Sequence, residues 1–250
     1  MNQIAMSRKK FILAGPSFVI PGGIQDNVMV LRDLVSEVGL TFFETRACLD
    51  YTQEDVPVKL AGLGLKFHVH LPLDLDWSRG AAEVFQVVLS LIGKAEHLSP
   101  DKFVLHPPAS AGQLSDFARL WERSSYRPEQ LLLENINGCD LSRHRETIDN
   151  AGLGICLDMG HVMAYDQWNL IHEMDIWERI SLVHVYGKED HTGHVGLTAL
   201  GQDGKRLLQL ILSRVKENTS VLLELFKLDD FLDSRSILIQ TADSWGMEFV

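Results

Sequence analysis

Eight short apolar runs rich in β-forming residues alternate with stretches of helical period along the whole chain, and this alternation most constrains its fold. The runs predict strands at residues 11–14, 41–44, 65–70, 102–106, 130–134, 154–158, 180–185 and 220–226. The stretches between them predict helices at 28–38, 83–97, 115–123, 141–151, 168–178, 205–217 and 229–241, with a weaker one at 54–63. Eight strand–helix units in 250 residues match the size of a (β/α)8 TIM barrel, an α/β fold with a closed parallel sheet.

A doubly wound open sheet is the rival architecture. Such a sheet usually carries a glycine-rich phosphate loop after an early strand, and neither Gly15-Pro16 nor Gly22-Gly23 forms that fingerprint. No linker, low-complexity block or shift in composition divides the chain, so we expect one TIM-barrel domain over residues 1–250. Glycines at predicted helix exits indicate left-handed caps at Gly39, at Gly64 (or Gly62) and at Gly152.

The composition limits which binding partners and which cellular compartment we expect for this protein. Lys and Arg number 23 against 34 Asp and Glu, a net charge of −11, whereas proteins that follow a nucleic-acid backbone are usually basic. Three cysteines are too few, and odd in number, for a disulfide framework, which indicates a reducing, cytoplasmic setting. No apolar stretch reaches the roughly 18 residues of a membrane span. We therefore expect a small-molecule substrate, and neither nucleic acid nor a membrane as partner; the oligomeric state is not indicated.

Metal-ligating residue types stand where the predicted strands stop. The residues at or just after these ends are Glu44, His68, His70, His106, Glu134, Asp158, His161, His184 and Glu224. Seven of the ten histidines lie at strand ends or in the loops that follow, where about a quarter of such a chain lies. Because all strands of a barrel end on one face, we expect these side chains to meet there.

Clustered acids and imidazoles of this kind need compensating cations, since buried carboxylates repel each other and their charges are costly to desolvate. The candidate metal ligands are His70, His106, Glu134, Asp158, His161, His184, Asp190, His191 and Glu224. Histidine mixed with carboxylate favours Zn²⁺ or Mn²⁺, with Fe²⁺ as a further option, and we interpret the cysteines as packing residues. Nine candidates exceed the three protein ligands of a single catalytic zinc, so we expect two or three ions per chain. Such clusters suit phosphoester hydrolysis.

These strings resemble the xylose-isomerase-like TIM-barrel superfamily, and within it the endonuclease-four type of metal-dependent phosphodiesterase. The resemblance is closer to the cobamide-remodelling phosphodiesterases of that group. It rests on the segment at 15–24, His-Leu-Pro-Leu-Asp-Leu at 70–75, Glu134-Asn135, Asp-Met-Gly-His at 158–161, the Asp190-His191 pair and Glu-Leu-Phe at 224–226, and it covers residues 11–241.

The resemblance implies a role for each ligand. His70, His106 and Glu134 would hold one ion. Glu134 would bridge to a second ion, held also by Asp158, His184 and Glu224, and His161 with Asp190 and His191 would hold a third. The endonuclease pattern spaces its last acid and histidine by one residue, which here selects Glu189 with His191, so the third site departs from the pattern. His68 and His194 have no assigned role.

By that resemblance, the family hydrolyses the phosphodiester in the nucleotide loop of a cobamide, with Glu134, Asp158 and Glu224 as the catalytic residues. The candidates for substrate binding are Arg46, Asn135, Tyr186 and Lys188: the two cations can meet a phosphate and the tyrosine can pack on a flat ligand. The loop at 16–25 has no Lys or Arg, which disfavours DNA repair of the AP-endonuclease kind.

Two other functions remain open. The first is a sugar isomerase or epimerase of the same superfamily, with one Mn²⁺ held by Glu134, Asp158, His184 and Glu224 and the two glutamates also moving protons. That reading leaves the other strand-end histidines without a role. The second is a barrel that binds a corrinoid or a metal without catalysis, against which the ligand residues at six strands argue.

Overall fold

The predicted barrel is confirmed by the structure, a computed structural model that describes residues 8–172, 176–191 and 193–250. The wall strands are β1 (Lys9–Pro16), β2 (Glu37–Thr41), β3 (Lys66–His70), β4 (Phe103–Leu105), β5 (Leu131–Glu134), β6 (Gly154–Asp158), β7 (Ile180–Val185) and β10 (Ser220–Leu223). Each pairs in parallel with the next, and β10 pairs with β1 to close the cylinder. All eight strands therefore end on one face.

Helices surround the wall. They are α1 (Ile24–Leu31), α2 (Thr45–Leu49), α3 (Ala81–Ala95), α4 (Ala111–Trp121), α5 (Arg145–Ala151), α6 (Met159–Ala164), α7 (Trp168–His172), α8 (Gln202–Arg214) and α9 (Leu228–Ser244). The longer ones show why they form: α3 buries Val84, Val88 and Leu91, spaced so that one stripe faces the wall. Gly152 ends α5 at φ +69° and Gly64 ends a short 3₁₀ turn at φ +73°, so both predicted left-handed caps are confirmed.

The second strand was wrongly predicted at residues 41–44. It runs over Glu37–Thr41, the preceding helix ends at Leu31, and Gly39 lies inside the strand instead of capping a helix. The physical reason is Glu37, a charged residue inside the barrel that disguises the strand in the sequence. Its carboxylate accepts hydrogen bonds from Lys102 at 3.0 Å and Ser220 at 2.6 Å and lies 2.5 Å from His68 Nδ1.

The interior of the barrel is filled in layers. The Glu37 network lies toward the amino-terminal ends of the strands. A middle layer of apolar side chains comes from six strands: Ala14, Val104, Leu132, Cys156, Leu182 and Leu222. Val104 lies between Lys102 and His106 in sequence, and Leu222 between Ser220 and Glu224, so alternation along the strand places these side chains on the same, inward-facing side.

Among the described residues, three short strands lie outside the predicted eight. Strand β11 (Met247–Phe249) extends the sheet by pairing with the start of β1. Strands β8 (Lys188–Asp190) and β9 (Gly193–Val195) form an antiparallel hairpin directly after β7. Of the helix predicted at 168–178, the structure describes α7 over Trp168–His172 and a 3₁₀ turn at Trp177–Arg179; residues 173–175 lie outside the described part of the chain. Within the described ranges, no helix combines the length and apolar character needed to cross a bilayer.

Candidate metal centre

Five buried ligand-type side chains converge where β3, β5, β6, β7 and β10 end. His70, Glu134 and Asp158 are the last residues of their strands, His184 is next to last in β7, and Glu224 follows β10. The register pairs Asp158 directly with His184, whereas Glu224 comes two residues after Leu222, the partner of His184 in β10. All five are at most 7% exposed. Such burial of acids and imidazoles together is typical of a site for a cation.

Glu134 is the hub of the cluster. Its Oε2 lies 3.0 Å from His70 Nε2 and 3.1 Å from His106 Nε2. Its Oε1 lies 3.3 Å from His184 Nδ1 and 3.8 Å from His161 Nδ1. One carboxylate thus faces a different set of imidazoles with each oxygen, which is the arrangement a bridging ligand needs.

A four-residue group lies on one side of Glu134. One ligand atom from each of Glu134, Asp158, His184 and Glu224 lies within 4.8 Å of the others, and all four residues are buried. His184 Nδ1 is 3.3 Å from Glu224 Oε2 and 3.9 Å from Asp158 Oδ2. On the other side, ligand atoms of His70, Glu134 and His184 meet the same limit, so the two groups share Glu134 and His184.

A third group differs from the residues expected from the sequence. It consists of His161, Glu189 and His194, again with ligand atoms within 4.8 Å of one another. Asp190 and His191 are not in it: His191 is exposed, and Asp190 Oδ2 lies 3.4 Å from Lys188 Nζ. The hairpin explains the difference. Glu189 and His194 are directly paired across β8 and β9, so they share a face, whereas Asp190 alternates to the opposite one.

Three imidazoles of the cluster are oriented by main-chain carbonyls. His70 Nδ1 donates to Leu71 at 2.9 Å, His161 Nδ1 to Asn135 at 2.8 Å and His194 Nδ1 to Glu224 at 3.0 Å. Because a carbonyl oxygen can only accept, each Nδ1 carries a proton, and Nε2 is the nitrogen that could ligate a metal ion once it has lost its own proton. Metal-ligating histidines are held in this way. His194, to which the sequence analysis assigned no role, is therefore oriented by the same kind of hydrogen bond as His70 and His161.

Buried polar atoms without a partner indicate what the cluster lacks. Among the described residues, Asp158 Oδ2 and both ring nitrogens of His184 make no hydrogen bond, although both side chains are fully buried. An unsatisfied buried polar group costs about 1–3 kcal/mol. A divalent cation ligated by these atoms would remove that cost, so the residues present fit a metal site.

The charges of the cluster also require cations. Burial raises the pKa of Asp158 to about 6, and the charges of Glu134 and Glu224 add to the rise. Burial also acts to raise the pKa of Glu134 and Glu224, but the positive charge of His184 outweighs this effect. The pKa of Glu134 therefore lies well below its usual range, and that of Glu224 is about 2. Protonated imidazole thus compensates these carboxylates, and a metal ion would take over that role and release the proton.

The four substrate-binding candidates lie in unlike places. Asn135 is buried and joins two strand ends, because its Oδ1 accepts from the Asp158 amide at 2.8 Å and its Nδ2 donates to the Asp158 carbonyl at 3.0 Å. Tyr186 is fully buried behind the cluster. Arg46 and Lys188 are exposed, and neither lines the cavity above the cluster. The sequence cannot reveal these placements, since they depend on contacts with other elements.

The cluster opens into a cavity of about 250 Å³. Its lining residues are Thr41, Phe42, Phe43, His70, Leu73, His106, Glu134, His161, Glu189, His194, Glu224 and Phe226. The lining combines acids and imidazoles on one side with aromatic and aliphatic groups on the other, and contains no Lys or Arg. Positive charge for an anionic ligand would therefore have to come from bound ions.

Comparison with known proteins agrees with this fold. No protein-family model and no curated protein sequence matches the chain. Among solved structures, a D-tagatose 3-epimerase-like protein is similar with a TM-score of 0.73 at 17% identity, covering 94% of this chain and 98% of that one. A D-psicose 3-epimerase gives 0.67 at 9% identity, with 94% and 100% covered. A xylose isomerase domain containing protein from Salmonella typhimurium gives 0.63 at 15%, with 96% and 99% covered.

The fold and the cluster together define a TIM barrel that is similar in fold to xylose-isomerase-like proteins, with buried acid and imidazole groups at its carboxyl face that can hold divalent metal. The identities of 9–17% extend this conclusion to the fold and no further, because one barrel supports many chemistries.

Proposed function

We propose that this protein is a divalent-metal-dependent phosphodiesterase. One observation carries the proposal: Glu134 meets His70 and His106 with one oxygen and His184 with the other, and His161 forms a third group with Glu189 and His194. Two ligand groups that share Glu134 and His184, with a third group beside them, suit several ions, not one. Clusters of neighbouring ions are typical of enzymes that cleave phosphate esters.

The protein residues have distinct tasks in such a reaction. Divalent ions at this site would supply Lewis-acid chemistry and neutralise charge on the phosphate. Glu134 lies between the first two groups and sets their separation. Asp158 and Glu224 complete the buried group, and Asn135 holds the end of β6 in place through its two bonds to the Asp158 main chain. Leu73, Phe43 and Phe226 cover one side of the cavity and limit its access to water.

Charge balance connects the number of ions to the class of substrate. The cluster holds four carboxylates, from Glu134, Asp158, Glu189 and Glu224, and its cavity has no Lys or Arg. One divalent ion would leave this site negative, which suits a neutral sugar. Three divalent ions would make it positive, which suits a phosphodiester anion.

The substrate we propose is a cobamide, cleaved at the phosphodiester of its nucleotide loop with release of the lower-ligand riboside. The sequence strings at 70–75, 158–161 and 224–226 support it, because they resemble those of cobamide-remodelling phosphodiesterases. The net charge of −11 and the absence of basic residues from the cavity favour a small molecule over a nucleic acid.

A single-metal sugar isomerase or epimerase is the alternative, and two observations favour it. Glu134, Asp158, His184 and Glu224 form a compact buried group that could serve one ion. Two of the similar solved structures are named as a ketose 3-epimerase or as a protein like one. Under this alternative, His70, His106 and the third group have no task.

Metal analysis and a product assay separate the two functions. The protein loaded with Zn²⁺ or Mn²⁺ is expected to hold two or three ions per chain by elemental analysis, and to convert a complete cobamide into a base-free corrinoid and a free riboside, detected by chromatography. Glu134→Ala is expected to abolish this turnover, whereas Glu122→Gln, at an exposed helix end, should retain it. One ion per chain with epimerisation of a ketohexose, and no cobamide cleavage, would overturn the proposal.

A further inference from the structure

Four large apolar side chains line one arc of the barrel mouth. Phe18 follows β1, Phe43 follows β2, Leu73 follows β3 and Phe226 follows β10. The strands β10, β1, β2 and β3 are successive neighbours in the wall, so the four residues are contiguous around the mouth. We refer to Phe18, Phe43, Leu73 and Phe226 as the apolar arc.

The apolar arc is unusually exposed. Phe18 is 40%, Phe43 41% and Leu73 59% accessible to solvent. Six large apolar side chains in the described part of the chain are at least 40% exposed, and three of them belong to the arc. Contiguous exposed apolar groups beside a site indicate a surface that binds a ligand.

Ring contacts connect the arc to the metal centre. Phe18 and Phe43 meet edge to face with centroids 5.2 Å apart, and Phe43 meets Phe226 at 5.9 Å. Phe226 in turn stacks on His194, 5.7 Å away, which is part of the third ligand group. A ligand that lies on the arc is therefore in contact with the cluster at its inner end.

Two cavities meet at Phe43. The inner one is the cavity of about 250 Å³ above the cluster. The outer one, of about 350 Å³, lies beyond the same ring and shares Thr41 and Phe43 with it. A monosaccharide would be contained in the inner cavity and would leave the outer one empty. The continuous groove suits a substrate that extends well beyond the group at the metal centre.

The outer cavity also limits the charge of its occupant. Its lining includes the carboxylates of Asp26, Glu54 and Asp55 and contains no Lys or Arg. A nucleic acid would bring phosphates against these carboxylates, which is unfavourable. A flat, uncharged body with hydrogen-bond donors at its edge matches both the aromatic surface and the acceptors around it.

We infer that the apolar arc and the outer cavity form a substrate subsite that holds the corrin ring of a cobamide while the phosphodiester lies at the ligand groups. This inference rests on the proposed function and adds where the substrate body binds. The rings of Phe18 and Phe43 pack on the macrocycle, and its peripheral amides donate to Asp26, Glu54 or Asp55.

The test uses a corrinoid that lacks the nucleotide loop, so that binding is measured without cleavage. The zinc-loaded full-length protein should bind this base-free corrinoid in a calorimetric titration. Phe18→Ala and Phe43→Ala should each weaken binding about tenfold, the usual size of effect for an aromatic anchor. Met29→Ala, which removes a side chain of equal 40% exposure on α1 outside both cavities, should bind as the parent protein does. With complete cobamide, the two phenylalanine variants should raise KM and leave kcat near its original value.

The outcomes separate this inference from the proposed function. Cleavage of cobamide with unchanged corrinoid affinity in Phe18→Ala and Phe43→Ala would overturn the subsite alone. If the parent protein binds the base-free corrinoid and the two variants do not, but no cobamide is cleaved, the subsite is supported and the phosphodiesterase proposal is overturned. Neither binding nor cleavage would overturn both. Thermal unfolding of each variant, expected to match the parent because the side chains are exposed, checks that the fold is intact.

Discussion

The rings of Tyr186 and His194 lie parallel, with centroids 3.8 Å apart and an interplanar angle of 7°. Tyr186 is fully buried, so it forms a fixed platform behind the third ligand group. His194 is held on its other side by Phe226 and by the hydrogen bond from its Nδ1 to the Glu224 carbonyl. One of its ring nitrogens lies within 4.8 Å of ligand atoms of His161 and Glu189.

Replacing this platform should cost the protein one metal ion. In Tyr186→Leu, the ring under His194 is lost, and we expect bound metal to fall by one ion per chain, with the other ions retained. Tyr186→Phe keeps the ring and removes only the hydroxyl, so it should keep the full metal content. Elemental analysis of both variants measures this difference. Equal metal content in the two variants would show that stacking does not position His194.

Gly160 must stay small because Tyr186 occupies the space beside it. A Cβ built on Gly160 would lie 2.0 Å from Tyr186 Cζ and 2.4 Å from its hydroxyl oxygen, which no side chain tolerates. Gly160→Ala should therefore lower the free energy of unfolding by about 1–3 kcal/mol, the usual cost of overpacking. Gly93→Ala is the matched control: no atom lies within 4 Å of its added Cβ within helix α3, and helix propensity predicts a gain of about 0.5–1 kcal/mol. Urea denaturation of both variants tests this; equal stability would contradict the close contact.

Two pairs of variants test whether the third ion is held by the residues paired across the hairpin or by those that the sequence spacing suggested. Glu189→Ala and His194→Ala remove members of the third group and should each lower the metal content by about one ion per chain. Asp190→Ala and His191→Ala change the neighbouring residues of the same hairpin and should leave it unchanged. If instead the second pair loses metal and the first does not, the third site is held as the sequence spacing suggested.

The Glu37 network predicts a pH-dependent effect on stability. Burial acts to raise the pKa of Glu37, but the bond to His68 and the charge of Lys102 hold it well below its usual range. A carboxyl with a lowered pKa in the folded state stabilises above its unfolded pKa, and this contribution is lost as pH falls toward the folded value. Lys102→Met leaves the Glu37 charge buried without its lysine counter-ion and should lower the free energy of unfolding by about 3–5 kcal/mol at pH 7.

Protonation of Glu37 removes the uncompensated charge, so the loss in Lys102→Met should shrink as the pH is lowered to about 4. The double variant Glu37→Gln with Lys102→Met removes both charges and should recover much of the stability at pH 7. Urea denaturation at the two pH values measures these differences. If Lys102→Met loses the same free energy of unfolding at both pH values, Glu37 does not take up a proton when Lys102 is removed.

The strand ends show which parts of the centre follow from the sequence. His70, Glu134, Asp158 and His184 each stand in or at the end of an apolar run, and the alternation of strands and helices makes all such ends meet on one face. Local pattern is enough here, because a strand's end is set by residues adjacent in sequence. Glu37 is the opposite case: its charge hid the strand. Only contacts with His68 of β3, Ser220 of β10 and Lys102, which directly precedes β4, make it a residue of the barrel interior.

The third ligand group shows most clearly what the sequence could not predict. The sequence indicated an acid and a histidine after the seventh strand, and a hairpin interpretation of residues 188–195, with Gly193 beyond the turn, would have pointed to Glu189 with His194. The cross-strand register places Glu189 and His194 on one face, and Tyr186 and the Glu224 carbonyl fix the orientation of the His194 ring.

The sequence by itself therefore determined the barrel, the face of the site and the residue types that gather there, because these follow from periodicity along the chain. The tertiary structure alone decided which of the neighbouring acids and histidines face each other, which nitrogen each imidazole presents, and that Asn135 and Tyr186 support the cluster from behind. These depend on residues far apart in sequence, whose relative positions arise only when the sheet closes.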